Sequence, residues 1–194
     1  MKARRQSKRI MIGDVAVGGG APITVQSMTK TDTRDVQATA EQIAKLADAG
    51  CDIVRLAVPD MEAASALAEI RPRVSVPLVA DIHFDHRLAL AAIDAGVDAL
   101  RLNPGNIRRR EDLERVVVRA RDRQVPIRIG VNGGSLPADY QPGRALSERM
   151  VAIAEEQIAI LEKMDFDLIK VSLKASDVKV TVDSYVSMAE RSLY

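Results

Sequence analysis

The stretch AGCDIVRL at residues 49–56 decides the fold, because it returns as AGVDALRL at residues 95–102. A looser third copy, MDFDLIKV, spans residues 164–171. Each copy follows a segment with helical spacing and reads as an aspartate, two apolar residues, a cation and another apolar residue. A short apolar run of this kind is typical of a buried strand. Its recurrence indicates repeated units of one supersecondary structure.

Three further apolar runs lie between the copies and complete a set of six predicted strands: ITVQSM at 23–28, VPLVADIH at 76–83 and VPIRIGVN at 125–132. Alanine-rich segments with helical spacing alternate with them, and we expect helices at about 34–48, 60–71, 85–96, 111–123 and 146–163, and from about 176 onward. Alternation of this kind predicts parallel strands joined by right-handed crossovers, in either an open doubly wound sheet or a closed barrel. Polar residues recur at the C-terminal end of almost every strand, which favours an α/β fold of the (β/α)8 TIM-barrel type.

The domain organisation follows from the number of units. Six strand-helix units are present where a barrel needs eight, so we expect residues 23–194 to form an incomplete TIM barrel that binds substrate. Residues 1–22 are predicted to form an N-terminal segment and a hairpin that turns at Gly13–Asp14 and plugs the N-terminal face of the barrel. The glycines at 18–20 precede a strand rather than a helix, which indicates a flexible turn rather than a phosphate loop.

Composition excludes several classes of protein. The chain has 194 residues, 47% of them hydrophobic and 28% charged, which is ordinary for a globular protein. Its formal net charge of +1 and its five aromatic residues give little support for nucleic-acid binding. It has no apolar run of the roughly 20 residues that span a bilayer, and its basic start lacks the apolar stretch of a secretory signal, so we expect a cytoplasmic protein. Cys51 is the single cysteine, which excludes an intramolecular disulfide and argues against a metal or iron-sulfur site built within this chain.

Basic residues occupy matching positions in the predicted strands. Arg55, Arg101 and Lys170 each follow the repeat aspartate by three residues, and Arg128 has a similar place in the fifth strand. If these side chains point into the barrel, they converge with polar residues further along the same strands: Asn103, Asn132, Ser172 and Lys174. Such a cluster predicts an anion site, because guanidinium groups fork onto phosphate oxygens. In the alternative, the cations point outward and pair with the strand-leading Asp52, Asp98 and Asp167.

The stretch VADIHFDH at 79–86 adds groups that handle protons. Asp81 and His83 lie two residues apart at a strand end and should face the same side, where they are candidate acid-base or hydrogen-bonding residues. Metal binding by His83 and His86 would have too few ligands, so no metal site is predicted. In the alternative, His83 only anchors a loop. A tight turn at NPGNI, 103–107, and the polar residues of the first strand would complete the rim: Gln26, Ser27 and Thr29.

Six blocks together carry a family resemblance: GGGAPITVQSMTKTDTRD, CDIVRLAVP, VPLVADIHFD, LRLNPGNI, PIRIGVNGGSL and IKVSLKASD. From Arg4 onward the chain resembles the bacterial 4-hydroxy-3-methylbut-2-enyl diphosphate synthase family, also called IspG or GcpE. The resemblance implies an iron-sulfur oxidoreductase of the non-mevalonate (MEP) isoprenoid pathway. Its substrate would be 2-C-methyl-D-erythritol 2,4-cyclodiphosphate, opened and dehydroxylated with two electrons. Those electrons would pass through a four-iron, four-sulfur (4Fe-4S) cluster from flavodoxin or ferredoxin, in a homodimer.

The same resemblance implies roles for particular residues. The diphosphate would be held by Arg55, Arg101, Arg128 and a lysine, with Lys170 preferred by its repeat position and Lys174 as second choice. Other pocket positions are Asn132, Asp81 and His83, with His83 close to the reacting end of the substrate.

One departure from the family pattern concerns the cluster. Three cysteines and a glutamate of a C-terminal domain hold it in the family, and those cysteines are absent here, as are the last two barrel strands. The resemblance therefore predicts that this stretch alone is inactive.

Two other functions fit the residues. One is a different barrel enzyme acting on a phosphorylated substrate, such as a pterin-binding synthase or a lyase that forms a Schiff base at Lys170 or Lys174, which borohydride would trap. The other is a noncatalytic binding module.

Overall fold

The computed structural model describes residues 5–83, 85–107 and 109–194 of the chain. Its strands are β1 Ile10–Ile12, β2 Val15–Val17, β3 Gln26–Met28, β4 Ile53–Ala57, β5 Leu78–Asp81, β6 Ala99–Arg101, β7 Ile127–Asn132 and β8 Ile169–Lys174. Its α-helices are α1 Val36–Asp48, α2 Met61–Ile70, α3 His86–Asp94, α4 Arg110–Asp122, α5 Leu146–Glu162 and α6 Val178–Arg191. Short 3-10 helices cover Arg71–Arg73, Pro104–Asn106 and Gly133–Ser135.

The predicted alternation of strand and helix is confirmed. Strands β3 to β8 form one sheet in chain order, and each neighbouring pair is parallel. The six-stranded sheet curls as part of a TIM barrel with its helices on the outside, as the sequence predicts. Strand β3 is shorter than the predicted 23–28, because its ladder with β4 begins only at Gln26.

Local sequence fixes where the helices begin and end. The side chains of Asp35, Asp60, Asp85 and Asp177 each accept a backbone N–H at the start of a helix, which satisfies a donor that has no partner within the helix. After α3 the chain reverses at Gly96, where φ is +87°, a conformation that glycine adopts without strain.

The main hydrophobic core lies between the sheet and the helices. On the strands it contains alternate residues, among them Val54, Leu56, Leu100, Ile127 and Ile129, all fully buried. Because successive strand residues face opposite sides, the intervening residues line the concave inner face of the sheet. The fold therefore leaves that inner face for a second packing contact and for the site.

The N-terminal hairpin supplies that second contact. Strands β1 and β2 pair antiparallel, with Ile12 opposite Val15 across the predicted turn at Gly13–Asp14. Ile12 is 1% exposed and packs with Ile53, Val79 and Ala99 from three parallel strands. The hairpin thus closes the apolar, N-terminal part of the inner face. Its assignment to a separate segment, residues 1–22, stays a prediction.

In the part of the chain that the structure describes, the aspartates of the three repeat copies do not pair with the cations of the strands. Asp52 Oδ2 accepts the Val25 N–H at 2.7 Å, and Asp98 Oδ2 accepts the Leu78 N–H at 2.8 Å. Asp167 pairs with Lys8 of the N-terminal segment. The first two aspartates therefore tie each repeat to the preceding strand, and the alternative in which they neutralise the strand cations is not what the structure shows.

Within the described residues, no helix is long and apolar enough to cross a membrane.

Candidate functional site

The sheet register places charged residues in one row across the inner face. Asp81 lies opposite Arg101, Arg101 opposite Arg128, and Arg128 opposite Lys170. These residues alternate with the helix-facing core positions, so their side chains are on the concave side. Arg55 lies one row nearer the strand starts, opposite Val79. Three of the four cations thus share one row, and the fourth is in the adjacent row.

Asp81 is the carboxylate of this cluster. It is 5% exposed, and its oxygens lie 3.6 Å from Arg55 Nε, 3.4 Å from an Arg101 terminal nitrogen and 3.7 Å from His83 Nε2. A buried carboxylate is stable only when cations or donors compensate it, and both arginines do so here. Four cations against this one carboxylate leave an excess of three positive charges.

Arg101 and Asn103 are held against strand β7. The terminal nitrogen of Arg101 that does not face Asp81 donates to the Gly130 carbonyl at 3.3 Å, and Asn103 Oδ1 accepts the Gly130 N–H at 2.9 Å. A Cβ on Gly130 would meet Arg101 Nε at 2.9 Å. Glycine at this position is therefore what allows Arg101 to lie across the strand.

Arg128 and Lys170 are the cations least compensated by protein groups. Arg128 Nε donates to Ser172 Oγ at 3.0 Å, whereas its terminal nitrogens have no hydrogen-bond partner in the described chain. Burial, and then the neighbouring Arg55 and Arg101, lower the pKa of Arg128. Burial, and then Arg128, lower the pKa of Lys170 to about 8. An anion bound here would offset both desolvation and repulsion.

These residues share one open cavity of about 640 Å³, which we call the cation cavity. It is lined by Thr24, Gln26, Ser27, Met28, Arg55, Arg128, Lys170, Val171 and Ser172. Arg55 directs Nε and a terminal nitrogen at the Met28 sulfur, at 3.2 and 3.1 Å. A thioether is a weak acceptor, so these donors remain available to a stronger one.

The other predicted residues lie around this cavity rather than in its lining. Asn132 Oδ1 accepts the Gly134 N–H at 3.2 Å and caps a 3-10 helix. Lys174 lies opposite Asn132 and is exposed, so of the two lysines only Lys170 lines the cation cavity. His83 stands at the rim with 59% of its side chain exposed. The described residues contain no group of three or more metal-ligating side chains.

Sequence reasoning missed Met28 and Gly130. Both lie on the inner face by the same alternation that was used to place the cations, since Met28 is opposite Arg55 and Gly130 is opposite Ser172. Applying that alternation to every inward position, and not only to polar ones, would have found them.

Fold and site together define a TIM-barrel-type domain with a cavity lined by three cations, Arg55, Arg128 and Lys170. Solved structures support the fold alone. The dihydropteroate synthase of Xanthomonas albilineans, solved with 4-aminobenzoic acid, superposes with a TM-score of 0.64 at 16% identity, covering 93% of this chain and 71% of that chain. A truncated 3-deoxy-D-arabino-heptulosonate 7-phosphate synthase from Thermotoga maritima gives 0.58 at 14% identity, covering 89% and 59%.

The family is shown by sequence. Residues 7–194 match the model of the GcpE TIM-barrel domain, and the chain belongs to this family. Curated relatives named 4-hydroxy-3-methylbut-2-en-1-yl diphosphate synthase (flavodoxin) include that of Dehalococcoides mccartyi, 59% identical over 97% of this chain and 54% of the relative. That of Thermodesulfovibrio yellowstonii is 56% identical over 95% and 54%. The chain therefore spans about half the length of the curated relatives it matches.

Proposed function

We propose that this chain is the substrate-binding barrel of a 4-hydroxy-3-methylbut-2-enyl diphosphate synthase, acting on 2-C-methyl-D-erythritol 2,4-cyclodiphosphate by reductive ring opening and dehydroxylation. Family membership and the names of the curated relatives support this function. The observation that carries it is the cation cavity, where Arg55, Arg128 and Lys170 converge with donors that protein groups do not use.

The chain's own residues would bind and orient the diphosphate. Arg128 and Lys170 lie side by side on neighbouring strands, about 4.8 Å apart in backbone spacing, which suits two oxygens of one diphosphate group. Arg55 would turn from the Met28 sulfur to a phosphate oxygen, because a charged acceptor forms a stronger hydrogen bond than a thioether. Ser172 holds the Arg128 side chain in position through Nε.

Arg101, opposite Arg128 in the sheet, would add positive charge for the diphosphate, with Asp81 and His83 next to it. Asp81 lies between Arg101 and His83 and can fix the orientation of both side chains. His83, exposed at the rim, would then stand next to the organic part of the substrate, where it can exchange a proton. Asn103, Asn132 and Lys174 remain proposed contacts for parts of the substrate outside the cation cavity.

The described residues do not fit an iron-sulfur cluster. Such clusters need several thiolates, and Cys51 is the only cysteine, 7% exposed, with its thiol directed at the Ile53 carbonyl at 3.0 Å. The 4Fe-4S cluster, the electron donor flavodoxin or ferredoxin, the homodimer and the cytoplasmic location belong to the proposal for the whole enzyme.

Calorimetric titration of the protein with the cyclic diphosphate tests the proposal. We expect Arg101→Ala and Arg128→Ala each to weaken binding by about 100-fold, or about 2.7 kcal/mol. Arg119→Ala is the matched control, because Arg119 pairs with Asp94 on the helical surface. Unchanged affinity in folded Arg101→Ala and Arg128→Ala variants would contradict the proposed site.

A further inference from the structure

The cation cavity holds a primary amine in a setting that differs from that of an ordinary surface lysine. Lys170 lines the cavity, and in the described chain it has neither a hydrogen bond nor an ion pair. Lys179, on the surface of α6, is by contrast paired with Asp183. The Lys170 amine is therefore accessible from the cavity without being neutralised by a carboxylate.

The neighbours of Lys170 can hold a phosphate group next to that amine. Arg128 is its partner across the sheet, and the terminal nitrogens of Arg128 have no partner in the described residues. Arg55 lines the same cavity; its hydrogen bonds go to the Met28 sulfur, a weak acceptor, and its Nε also lies 3.6 Å from Asp81 Oδ2. A ligand that bears a phosphate and a second reactive group would thus be held with that group beside Lys170.

We propose that Lys170 is a modification site for phosphorylated aldehydes, which bind through their phosphate to Arg128 and Arg55 and form a reversible imine with the lysine. The neutral amine attacks the aldehyde carbon, a carbon–nitrogen double bond replaces the carbon–oxygen double bond, and the oxygen leaves as water. The inference rests on the proposed function only in that both use the phosphate-binding cations. The cyclic diphosphate has no carbonyl group, so the imine is no step of the proposed reaction and the aldehyde would act as a blocking ligand.

The protonation state of Lys170 supports this chemistry. In the protein without a bound anion the pKa of Lys170 is lowered to about 8, so roughly half of the Lys170 amines are neutral at pH 8, against about 0.3% for a lysine at its ordinary value of 10.5. Only the neutral amine is a nucleophile. Burial, the larger cause of the lowered pKa of Lys170, does not depend on Arg128, the residue that would bind the phosphate.

The test uses pyridoxal 5′-phosphate, followed by borohydride reduction and peptide mass spectrometry of the whole chain at pH 8. We expect the reduced adduct at Lys170 to exceed that at Lys179 by at least about 10-fold, with Lys174 labelled no more than Lys179. Pyridoxal without the phosphate should label Lys170 at least about 10-fold less, because two charge-assisted contacts are missing. Inorganic pyrophosphate should protect Lys170.

Two variants test the phosphate contact and the site of labelling separately. Arg128→Ala should abolish the preference for the phosphorylated aldehyde, and Lys170→Arg should remove the adduct while circular dichroism shows the native spectrum. Equal labelling by pyridoxal and its phosphate, or preferential labelling of Lys174, would overturn the inference. If pyrophosphate binds by calorimetry while Lys170 stays unlabelled, the inference fails and the proposed function stands. If pyrophosphate neither binds nor protects, the shared phosphate site fails, and both fail with it.

Discussion

The two ends of the same inner sheet face differ in almost every physical respect. At the N-terminal end, Ile53, Val79 and Ala99 are at most 2% exposed and are covered by Ile12 of the hairpin. At the C-terminal end, the next positions of the same strands are Arg55, Asp81 and Arg101. One strand thus carries an apolar residue and, two positions later, a charge. The comparison shows how a short strand can contribute both to the stability of the fold and to a site.

The energetic roles of the two ends should be opposite. The apolar end gains free energy as its side chains leave water. The charged end loses free energy, because its cations are desolvated and repel one another, as the lowered pKa values of Arg128 and Lys170 indicate. Substitutions at the first end should therefore reduce stability without affecting anion binding. Substitutions of Arg128 or Lys170 at the second end should weaken anion binding without reducing stability.

Ile53→Ala should have the largest effect on stability. Ile53 is fully buried between the sheet and the hairpin, so removing its side chain leaves a cavity that costs about 2–5 kcal/mol in the free energy of unfolding. Urea denaturation measures this change, and pyrophosphate affinity at a temperature where the variant is folded should stay within about 2-fold. A stability loss below about 0.5 kcal/mol would show that the hairpin contact is not part of the core.

Asp81→Asn should have the next largest effect on stability, this time at the charged end of the inner face. The amide keeps the shape of the side chain but leaves Arg55 and Arg101 without a carboxylate, which should cost about 1–3 kcal/mol in stability. Added pyrophosphate should stabilise this variant more than the wild type, because the anion replaces the lost charge. Thermal denaturation with and without pyrophosphate measures both effects, and equal stabilisation of the two proteins would place the anion away from Asp81.

The pH dependence of anion binding should follow Lys170. As the pH rises through about 8, Lys170 loses its proton, so the affinity for pyrophosphate should fall by about 10-fold between pH 7 and pH 9.5. Over the same range the free energy of unfolding should increase with pH. Above about pH 8 Lys170 is largely neutral in the folded chain but still protonated in the unfolded chain, so the unfolded state binds more protons.

Lys170→Arg is the control for this pH profile, since arginine keeps its charge. Calorimetry across the pH range should give a nearly flat affinity for the variant above pH 7. A wild-type profile that is just as flat would show that the Lys170 ammonium does not contact the anion.

Lys174→Ala should have the smallest effect, a change of less than about 2-fold in pyrophosphate affinity, because Lys174 is exposed and outside the lining of the cation cavity. Lys170→Met, which removes the ammonium and keeps the stem, is the matched comparison and should weaken binding by at least about 10-fold. The opposite ranking in the same calorimetric series would assign the phosphate-binding role to Lys174.

Much of the fold was predictable because its signals are local. The repeat copies ending at Leu56 and Leu102, the aspartates that cap four helices and the turn at Gly13–Asp14 all depend on residues close in sequence. The inward direction of the cations followed from alternation along each strand. The row of each cation across the sheet could not be predicted in this way, because register depends on hydrogen bonding between strands far apart in sequence. The register places Arg55 opposite Val79 and not in the row of Arg101.

The partners of the site residues were also beyond the sequence. Nothing near Arg101 in the chain shows that it lies over Gly130, or that Asn103 accepts the Gly130 N–H. Lys170 and Lys174 lie on the same face of β8, and the repeat position favoured Lys170, which is the one of the two that lines the cation cavity.

A crystal structure of the protein with bound pyrophosphate would show whether the cation cavity binds the anion. We expect the diphosphate within hydrogen-bond distance of both Arg128 and Lys170 in the cation cavity, with Arg55 turned from the Met28 sulfur toward a phosphate oxygen. Pyrophosphate bound at another surface, or cation side chains directed between the outer helices with no shared cavity, would contradict this expectation.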